Sequence, residues 1–163
     1  MVEHTRVSAL LSDWLGDAHR ARHAHSAAAD HYSRLDLWIG GGAVVLAAVI
    51  GTSVFATLGQ PLPTVWRVAG AIVTFAAAAL SGFQTFFKGA ARAEVHRQAS
   101  RRYEALVREI EQLETDPPES EGEAERKFDH LRSGFHEAGD QAPQVPTRSW
   151  AQVERMPSAG ERR

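Results

Sequence analysis

The chain has 163 residues, a formal net charge of −2 and no cysteine. A chain of this length fits a single domain, and its near-neutral charge argues against the strongly basic surface of a nucleic-acid-binding domain. Without cysteine it can form neither disulfides nor a thiolate metal site, which is typical of a protein whose polar parts stay in a reducing cytosol. Because of the near-neutral charge, we expect no nucleic-acid partner.

Residues 1–36 are polar and are predicted to form an N-terminal helical region. Its alanines and Tyr32 would make a small apolar face. His19 and His23 lie one helical turn apart, which is the spacing of two metal ligands on a helix, but no third ligand is evident. We expect both histidines to be solvated or interfacial, and we predict no metal site.

Two long apolar runs follow. Residues 37–58 contain no charged side chain and would form a helix of roughly 33 Å, about the thickness of the hydrocarbon core of a bilayer. Residues 68–87 are also long enough, and the glycine and two prolines of the segment between the runs indicate a turn. A buried hairpin in a soluble core is the alternative, but core helices rarely lack a charged face over such a length. The predicted fold is therefore an all-α membrane protein, with a two-span transmembrane helical hairpin and cytoplasmic helices at both ends.

Both spans repeat small residues every four positions. Such residues let helix backbones approach closely where lipid supplies no hydrophobic drive. The simpler interpretation is packing of the two spans within one hairpin; the surplus of small faces suggests neighbours from other copies, and so a homo-oligomer. The candidate packing residues are Ala43, Ala47, Gly51, Gly70, Ala78 and Gly82.

Polar side chains mark the second span. Thr74, Ser81 and Thr85 share one stripe, and their hydroxyls can bond to carbonyls one turn back. The amide of Gln84 is more demanding, because leaving it unpaired in hydrocarbon is costly. These four residues are candidates either for polar contacts between helices or for the lining of a wet pore. Neither span holds an ionisable residue, which disfavours a proton-relay transporter or a voltage sensor.

Basic residues flank the hairpin asymmetrically. The segment between the spans has only Arg67, whereas the N-terminal flank has Arg20, Arg22 and Arg34. This bias predicts a multi-pass membrane protein with both termini in the cytoplasm and the short loop between the spans outside. The residues that follow the second span, near anionic lipid headgroups, are Lys88, Arg92, Arg97, Arg101 and Arg102.

The region 88–115 is predicted to be a cytoplasmic amphipathic helix that continues the second span. Its apolar residues recur every three or four positions, so one face needs a packing partner. We expect that partner to be the N-terminal helix, through Tyr32 and the alanines, or another subunit. The candidate stripe consists of Val95, Ala99, Tyr103, Leu106, Ile110 and Leu113.

The remaining residues are predicted to pack little. Residues 116–127 are acidic and proline-containing and indicate a linker. Residues 128–163 are predicted to hold a short helix and a mostly irregular tail, whose Trp150 could dock on the cytoplasmic helices or on a partner. No arrangement of nucleophile and base stands out in the chain, so we expect neither an enzyme nor a cofactor.

The order of these parts resembles a known family. Over roughly residues 28–113 the chain is similar to the SLATT domains, the SMODS- and SLOG-associating two-transmembrane effector domains of bacteria. The most telling pieces are "IGTSVFATL" in the first span and the segment after the second span with His96, Arg97, Tyr103 and Leu106. The "APQVPTRSW" tail also looks like the tails of those domains.

The resemblance implies a membrane effector of a bacterial conflict or defence system. Such domains are proposed to oligomerise and form pores when a nucleotidyltransferase-like or nucleotide-sensing partner is triggered. The alternative is a non-enzymatic membrane anchor or scaffold that recruits a soluble partner through Trp150 and the charged helices. In both cases the membrane lipid is a partner.

Overall fold

The computed structural model describes the backbone of residues 2–56 and 63–154, and the side chains of residues 7–51 and 63–154. Residues 57–58 of the first predicted span, residues 59–62 of the turn and the tail 155–163 lie outside this description. The described residues form five α-helices and no strand, which confirms the all-α fold class. The helices are α1 (Val2–Ala56), α2 (Thr64–Phe87), α3 (Gly89–Thr115), α4 (Glu121–Gln141) and α5 (Thr147–Glu154).

The chain divides into two compact units. We call His31–Arg92 the hairpin unit, and Met1–Asp30 together with Ala93–Arg163 the bundle unit. The boundaries fall inside α1 and α3, a few residues outside the two apolar runs. The hairpin unit therefore includes a short polar flank at each end.

The hairpin unit carries two helices that are long and apolar enough to cross a membrane, and no residue in the most apolar window of either helix is buried. Large side chains lie on the outside: Phe75 is 76% exposed and Phe86 is 86% exposed. A soluble protein would hide such residues in its core, and an apolar surface of this extent suits lipid. Together with the absence of buried residues along α2, this argues against a buried hairpin in a soluble core.

One face of α2 packs against α1 within the hairpin unit. Its half-buried residues recur at intervals of three and four positions, as expected for a single helical face. A methyl group added at Gly42 of α1 would lie 3.4 Å from Leu80 Cδ2. The half-buried residues of α2 are Ala69, Val73, Ala77, Leu80, Gln84 and Phe87.

The second span does not run uninterrupted into the next helix. Lys88 adopts the left-handed conformation with φ 48°, and its N–H donates to the carbonyl of Gln84 at 3.2 Å. Such a conformation costs a non-glycine residue roughly 1–2 kcal/mol. The next residue, Gly89, lies so close to Asp36 that a methyl group there would come within 2.9 Å of Asp36 Cβ. The predicted continuous helix is thus corrected to two helices separated by one residue.

The bundle unit has an apolar core formed by α1, α3 and α4. Ile110 and Leu131 are its largest fully buried side chains. Trp14 of α1 packs on two rings of α4, with centroids 6.3 Å from Phe128 and 5.8 Å from Phe135. The apolar residues of α4 therefore belong to the core of the unit.

The predicted linker and tail are more ordered than the sequence suggested. α4 begins at Glu121, inside the predicted linker 116–127. The Ser120 hydroxyl accepts a hydrogen bond from the backbone N–H of Glu123 at 3.3 Å, and this capping interaction starts the helix. The irregular connection is thereby reduced to residues 116–120, and α4 and α5 occupy most of the region predicted to be irregular.

Candidate functional site: the free faces of the second span and a buried histidine pair

The exposed surface of α2 has two chemically different faces. Successive residues are rotated by about 100° around a helix, so the surface away from α1 divides into two stripes. We call the first the hydroxyl face; it consists of the exposed residues Gly70, Thr74, Ala78, Ser81, Gly82 and Thr85. We call the second the large apolar face; it consists of the exposed residues Val68, Ile72, Phe75, Ala79, Phe83 and Phe86.

The two threonine hydroxyls of the first face bond within their own helix. Thr74 Oγ1 donates to the Gly70 carbonyl at 2.8 Å, and Thr85 Oγ1 donates to the Ser81 carbonyl at 3.1 Å. Each oxygen keeps acceptor lone pairs after donating its proton. The hydroxyl face can therefore border lipid at little cost, and it can also accept hydrogen bonds from a neighbouring helix or from water.

Gln84 does not belong to the hydroxyl face. It is half-buried on the side of α2 that faces α1. A methyl group at Gly40 would lie 2.6 Å from Gln84 Nε2, so the amide packs directly over that glycine. The structure therefore separates Gln84 from Thr74, Ser81 and Thr85, and it places the amide between the two helices of one hairpin.

Only some of the predicted small packing residues are half-buried within one copy of the chain. Ala43 and Gly51 of α1 are half-buried and Ala47 is exposed. A methyl group added at Gly70 or Gly82 would meet no atom of the described residues within 4 Å, and Ala78 is exposed. Packing of these three α2 residues within one hairpin is thus wrong, because another face of α2 contacts α1. Their packing against another copy stays a prediction.

Tyr32 lies at the end of the hairpin unit in an aromatic cluster with a cation. Its ring centroid is 6.1 Å from that of Phe87, and the Arg92 guanidinium carbon lies 5.1 Å from the Phe87 centroid and 5.9 Å from the Tyr32 centroid. Cation–π contacts of this kind contribute about 0.5–1 kcal/mol at exposed sites. The expected packing of Tyr32 on the Tyr103 stripe stays a prediction.

The other basic residues that follow the second span differ in their surroundings. Arg97 and Arg101 both pair with Glu94, at 3.5 Å and 3.3 Å. Lys88 and Arg102 are exposed. Part of the positive charge after the second span is therefore engaged within α3.

The apolar stripe of α3 is shifted at its N-terminal end. Ala99, Leu106, Ile110 and Leu113 are buried, as expected for the packing face, and Tyr103 is half-buried. Val95 is 45% exposed and His96 is buried instead. Val95 is therefore not on the face of α3 that packs within the described residues, and its packing against another subunit stays a prediction.

His96 pairs with a histidine of α1 inside the bundle unit. His25 is 4% exposed and His96 is 3% exposed. Their Nδ1 atoms are 3.0 Å apart, and the ring of Tyr103 stacks on His25 with centroids 5.7 Å apart. Next to the pair, the Ser100 hydroxyl donates to the Arg22 carbonyl at 3.1 Å. We call His25 and His96 the histidine pair; it joins α1 to α3.

The environment of the histidine pair favours uncharged rings. Burial, and then the proximity of His96, lowers the pKa of His25 to about 4. Burial also lowers the pKa of His96 and raises the pKa of the Tyr103 hydroxyl. At neutral pH one Nδ1 therefore donates its proton and the other accepts it.

Sequence analysis named His96 only as part of the segment that resembles the family, and it considered His19 and His23 instead as a pair of metal ligands. His19 and His23 stack with centroids 6.4 Å apart, and the Arg22 guanidinium is 3.2 Å from His23 Nε2. Among the described residues, no group of three or more histidine, aspartate or glutamate side chains could hold a metal ion. The sequence signal for the histidine pair was the alanines around each histidine, which could have indicated that His25 and His96 lie on the packing faces of their helices. These alanines are buried in the structure.

Trp150 lies on α5, a helix that sequence analysis had placed in an irregular tail. The buried residues of α5 are Ser149 and Val153, while Trp150 is 39% exposed. Ser149 and Val153 therefore anchor α5, and the indole of Trp150 stays accessible on the bundle unit.

Comparison with known proteins identifies a family. The model of the SMODS and SLOG-associating 2TM effector domain family 4 matches residues 8–155. This range includes both apolar helices and nearly all of the described bundle unit. No curated protein and no solved structure matches the chain.

Proposed function

Because the chain belongs to the SMODS and SLOG-associating 2TM effector domain family 4, we propose that it is a membrane effector of a bacterial conflict system that oligomerises and opens a pore. The observation that carries this proposal is the division of the free surface of α2 into a hydroxyl face and a large apolar face. A span that served only as an anchor needs no such division.

The two faces suit different surroundings. Phe75 and Phe86 project large side chains into the surroundings of the hairpin, as suits contact with lipid. Gly70, Ala78 and Gly82 offer a surface on which a second helix can approach closely. Lipid supplies no hydrophobic drive between helices, so close packing and polar contacts must stabilise the oligomer.

A pore would use the hydroxyl face. In a ring of copies, Thr74, Ser81 and Thr85 border either a neighbouring helix or the lumen, and their lone pairs can accept hydrogen bonds from water. Gln84 holds the two helices of one hairpin together and so positions the hydroxyl face. Because no charged side chain lies in the spans, such a pore would not select an ion by charge.

The bundle unit is where we place the response to a signal. Its helices would receive a nucleotide-synthesising or nucleotide-sensing partner, and a change in their packing would realign the spans. Two packings that differ by a few kcal/mol can be interconverted by such a ligand. Exposed Lys88, Arg92 and Arg102 support a cytoplasmic bundle unit in the bacterial inner membrane, because positive residues favour that side.

A second candidate function is a passive anchor that recruits a soluble partner. The observation that favours it is the accessible indole of Trp150 on an otherwise well anchored helix. Exposed aromatic side chains are frequent anchors of protein interfaces. This role needs the bundle unit but not the hydroxyl face of α2.

Release of a trapped dye from liposomes tests the proposal. Purified full-length protein at increasing density should release the dye, and Ala78→Leu should reduce the release by roughly tenfold because leucine blocks close helix approach. The matched control is Ala79→Leu, one residue along on the large apolar face, which should release dye like the original chain. Vesicles that stay tight at every density, or equal effects of the two variants, would leave the anchor as the better account.

A further inference from the structure

The two ends of the bundle unit are packed by different side chains. Around Ile110 and Leu131 the helices bury large aliphatic and aromatic groups. Around the histidine pair the buried apolar residues are alanines, which bury little area each: Ala24, Ala28, Ala29, Ala93 and Ala99. The hydrogen bond of the histidine pair, the ring of Tyr103 and the bond from Ser100 therefore supply much of what holds α1 to α3 here.

We propose that the histidine pair is an acid-sensitive latch, which holds α1 against α3 while both rings are neutral and releases this end of the bundle unit when protons bind. The proposal rests on the geometry of the bundle unit and does not depend on pore formation.

The proton inventory of the pair explains how the latch would open. In the neutral pair one ring donates its Nδ1 proton to the lone pair on Nδ1 of the other ring. A first added proton binds Nε2 of the donor ring, which keeps the hydrogen bond but places a charge in a buried site. A second proton takes the accepting lone pair, so both nitrogens become donors and two like charges face each other at 3.0 Å.

The charged and titratable groups that lie close to the pair in sequence make contacts of their own. On α1 these are Arg22 and His23, which lie 3.2 Å apart. On α3 they are Glu94 and Arg97, which pair with each other, and Tyr103, whose hydroxyl is kept protonated by burial. The carboxylate of Glu94 is thus already engaged by arginines, and it does not offset the cost of a buried charge.

The direction of the pH effect follows from the lowered pKa values. The pKa of His25 is about 4 in the packed state, against its usual 6.5. A released state would therefore bind the proton roughly 300-fold more tightly than the packed state. The packing is at full strength above pH 6.5 and is lost progressively as the pH falls toward 4.

Amide hydrogen exchange of the full-length protein in lipid nanodiscs at pH 7 and pH 5, corrected for intrinsic rates, tests the latch. Protection of residues 18–30 of α1 should fall by roughly tenfold or more at pH 5, while protection around Ile110 and Leu131 changes by less than about twofold. Equal protection of residues 18–30 at both values would overturn the proposal.

Variants isolate the pair as the cause. The double variant His25→Gln, His96→Gln keeps hydrogen-bonding groups that do not titrate, so residues 18–30 should lose their pH dependence. His136→Gln removes an exposed histidine of α4 and should leave that dependence unchanged. If the double variant does not fold, the titration of the His25 ring in the original chain, followed by NMR, replaces it: a midpoint below about pH 5 supports the latch, and one near 6.5 refutes it.

Discussion

Gln84 of α2 packs its side-chain amide over Gly40 of α1, so that a methyl group at Gly40 would lie only 2.6 Å from Gln84 Nε2. The contact satisfies two needs together. It removes a polar amide from lipid, where an unpaired group is costly. Gly40 leaves room for that amide because glycine has no side chain. The glycine and the glutamine are therefore a matched pair across the hairpin.

Replacing Gly40 should weaken this contact. Gly40→Ala pushes the flexible amide aside, and we expect its free energy of unfolding in mixed micelles to be lower than that of Gly41→Ala by about 0.5 kcal/mol, near the average for interhelical polar contacts in membranes. The matched control is Gly41→Ala, since a methyl group at Gly41 would meet nothing within 4 Å. Equal losses for the two variants would show that Gln84 does not pack on Gly40.

The register of α3 can be tested by truncating side chains. Ile110 of α3 is fully buried in the core of the bundle unit, so Ile110→Ala should destabilise that unit by about 2–5 kcal/mol. Val95 is 45% exposed, and Val95→Ala should change the stability by less than about 0.5 kcal/mol. Thermal unfolding followed by circular dichroism measures both. A large loss for Val95→Ala would restore Val95 to the packing face.

The start of α4 depends on its capping serine. Ser120→Ala removes the acceptor for the Glu123 N–H, and we expect it to cost about 1 kcal/mol. Ser133→Ala, at an exposed position inside α4, should be nearly neutral in the same unfolding experiment. If Ser120→Ala is equally neutral, the helix begins later than Glu121, as the composition of the segment had suggested.

Membrane orientation is open to chemical labelling because the chain has no cysteine of its own. In intact cells, a cysteine at Thr64 should react with a membrane-impermeant maleimide, and cysteines at Ser12 or Ser133 should react only after lysis. All three positions are exposed in the structure. Labelling of Ser12→Cys before lysis would place the N-terminus outside, contrary to the distribution of positive residues.

Sequence alone predicts the hairpin well and its faces poorly. Two uncharged runs of about 20 residues are each long enough to cross a bilayer as a helix, so they leave few alternatives to a pair of spans. Small residues, however, occur on more than one face of α2, and no pattern says which face meets α1. The decisive residue was Gln84, whose position over Gly40 depends on the register between two helices.

The histidine pair shows a second limit. An apolar pattern favours Val95 for the inner face of α3, since burying a lone histidine without a partner is costly. The partner of His96 is His25, on another helix and far away in sequence, and periodicity within one helix cannot reveal it. The start of α4, in contrast, could have been predicted from the sequence, because Ser120 and Glu123 have the spacing of a capping box. The segment was predicted to be a linker because it is acidic and contains prolines.

The central claim is that copies of the chain meet through the hydroxyl face of α2, and cysteine cross-linking in membranes tests it most directly. Ala77, Ala78 and Ala79 are consecutive residues of the same size that fall on the α1-facing side, the hydroxyl face and the large apolar face. With a mild oxidant, Ala78→Cys should form disulfide-linked dimers of the full-length chain, at least several-fold more than Ala77→Cys or Ala79→Cys. Dimers that form as readily through Ala79→Cys as through Ala78→Cys would contradict the account.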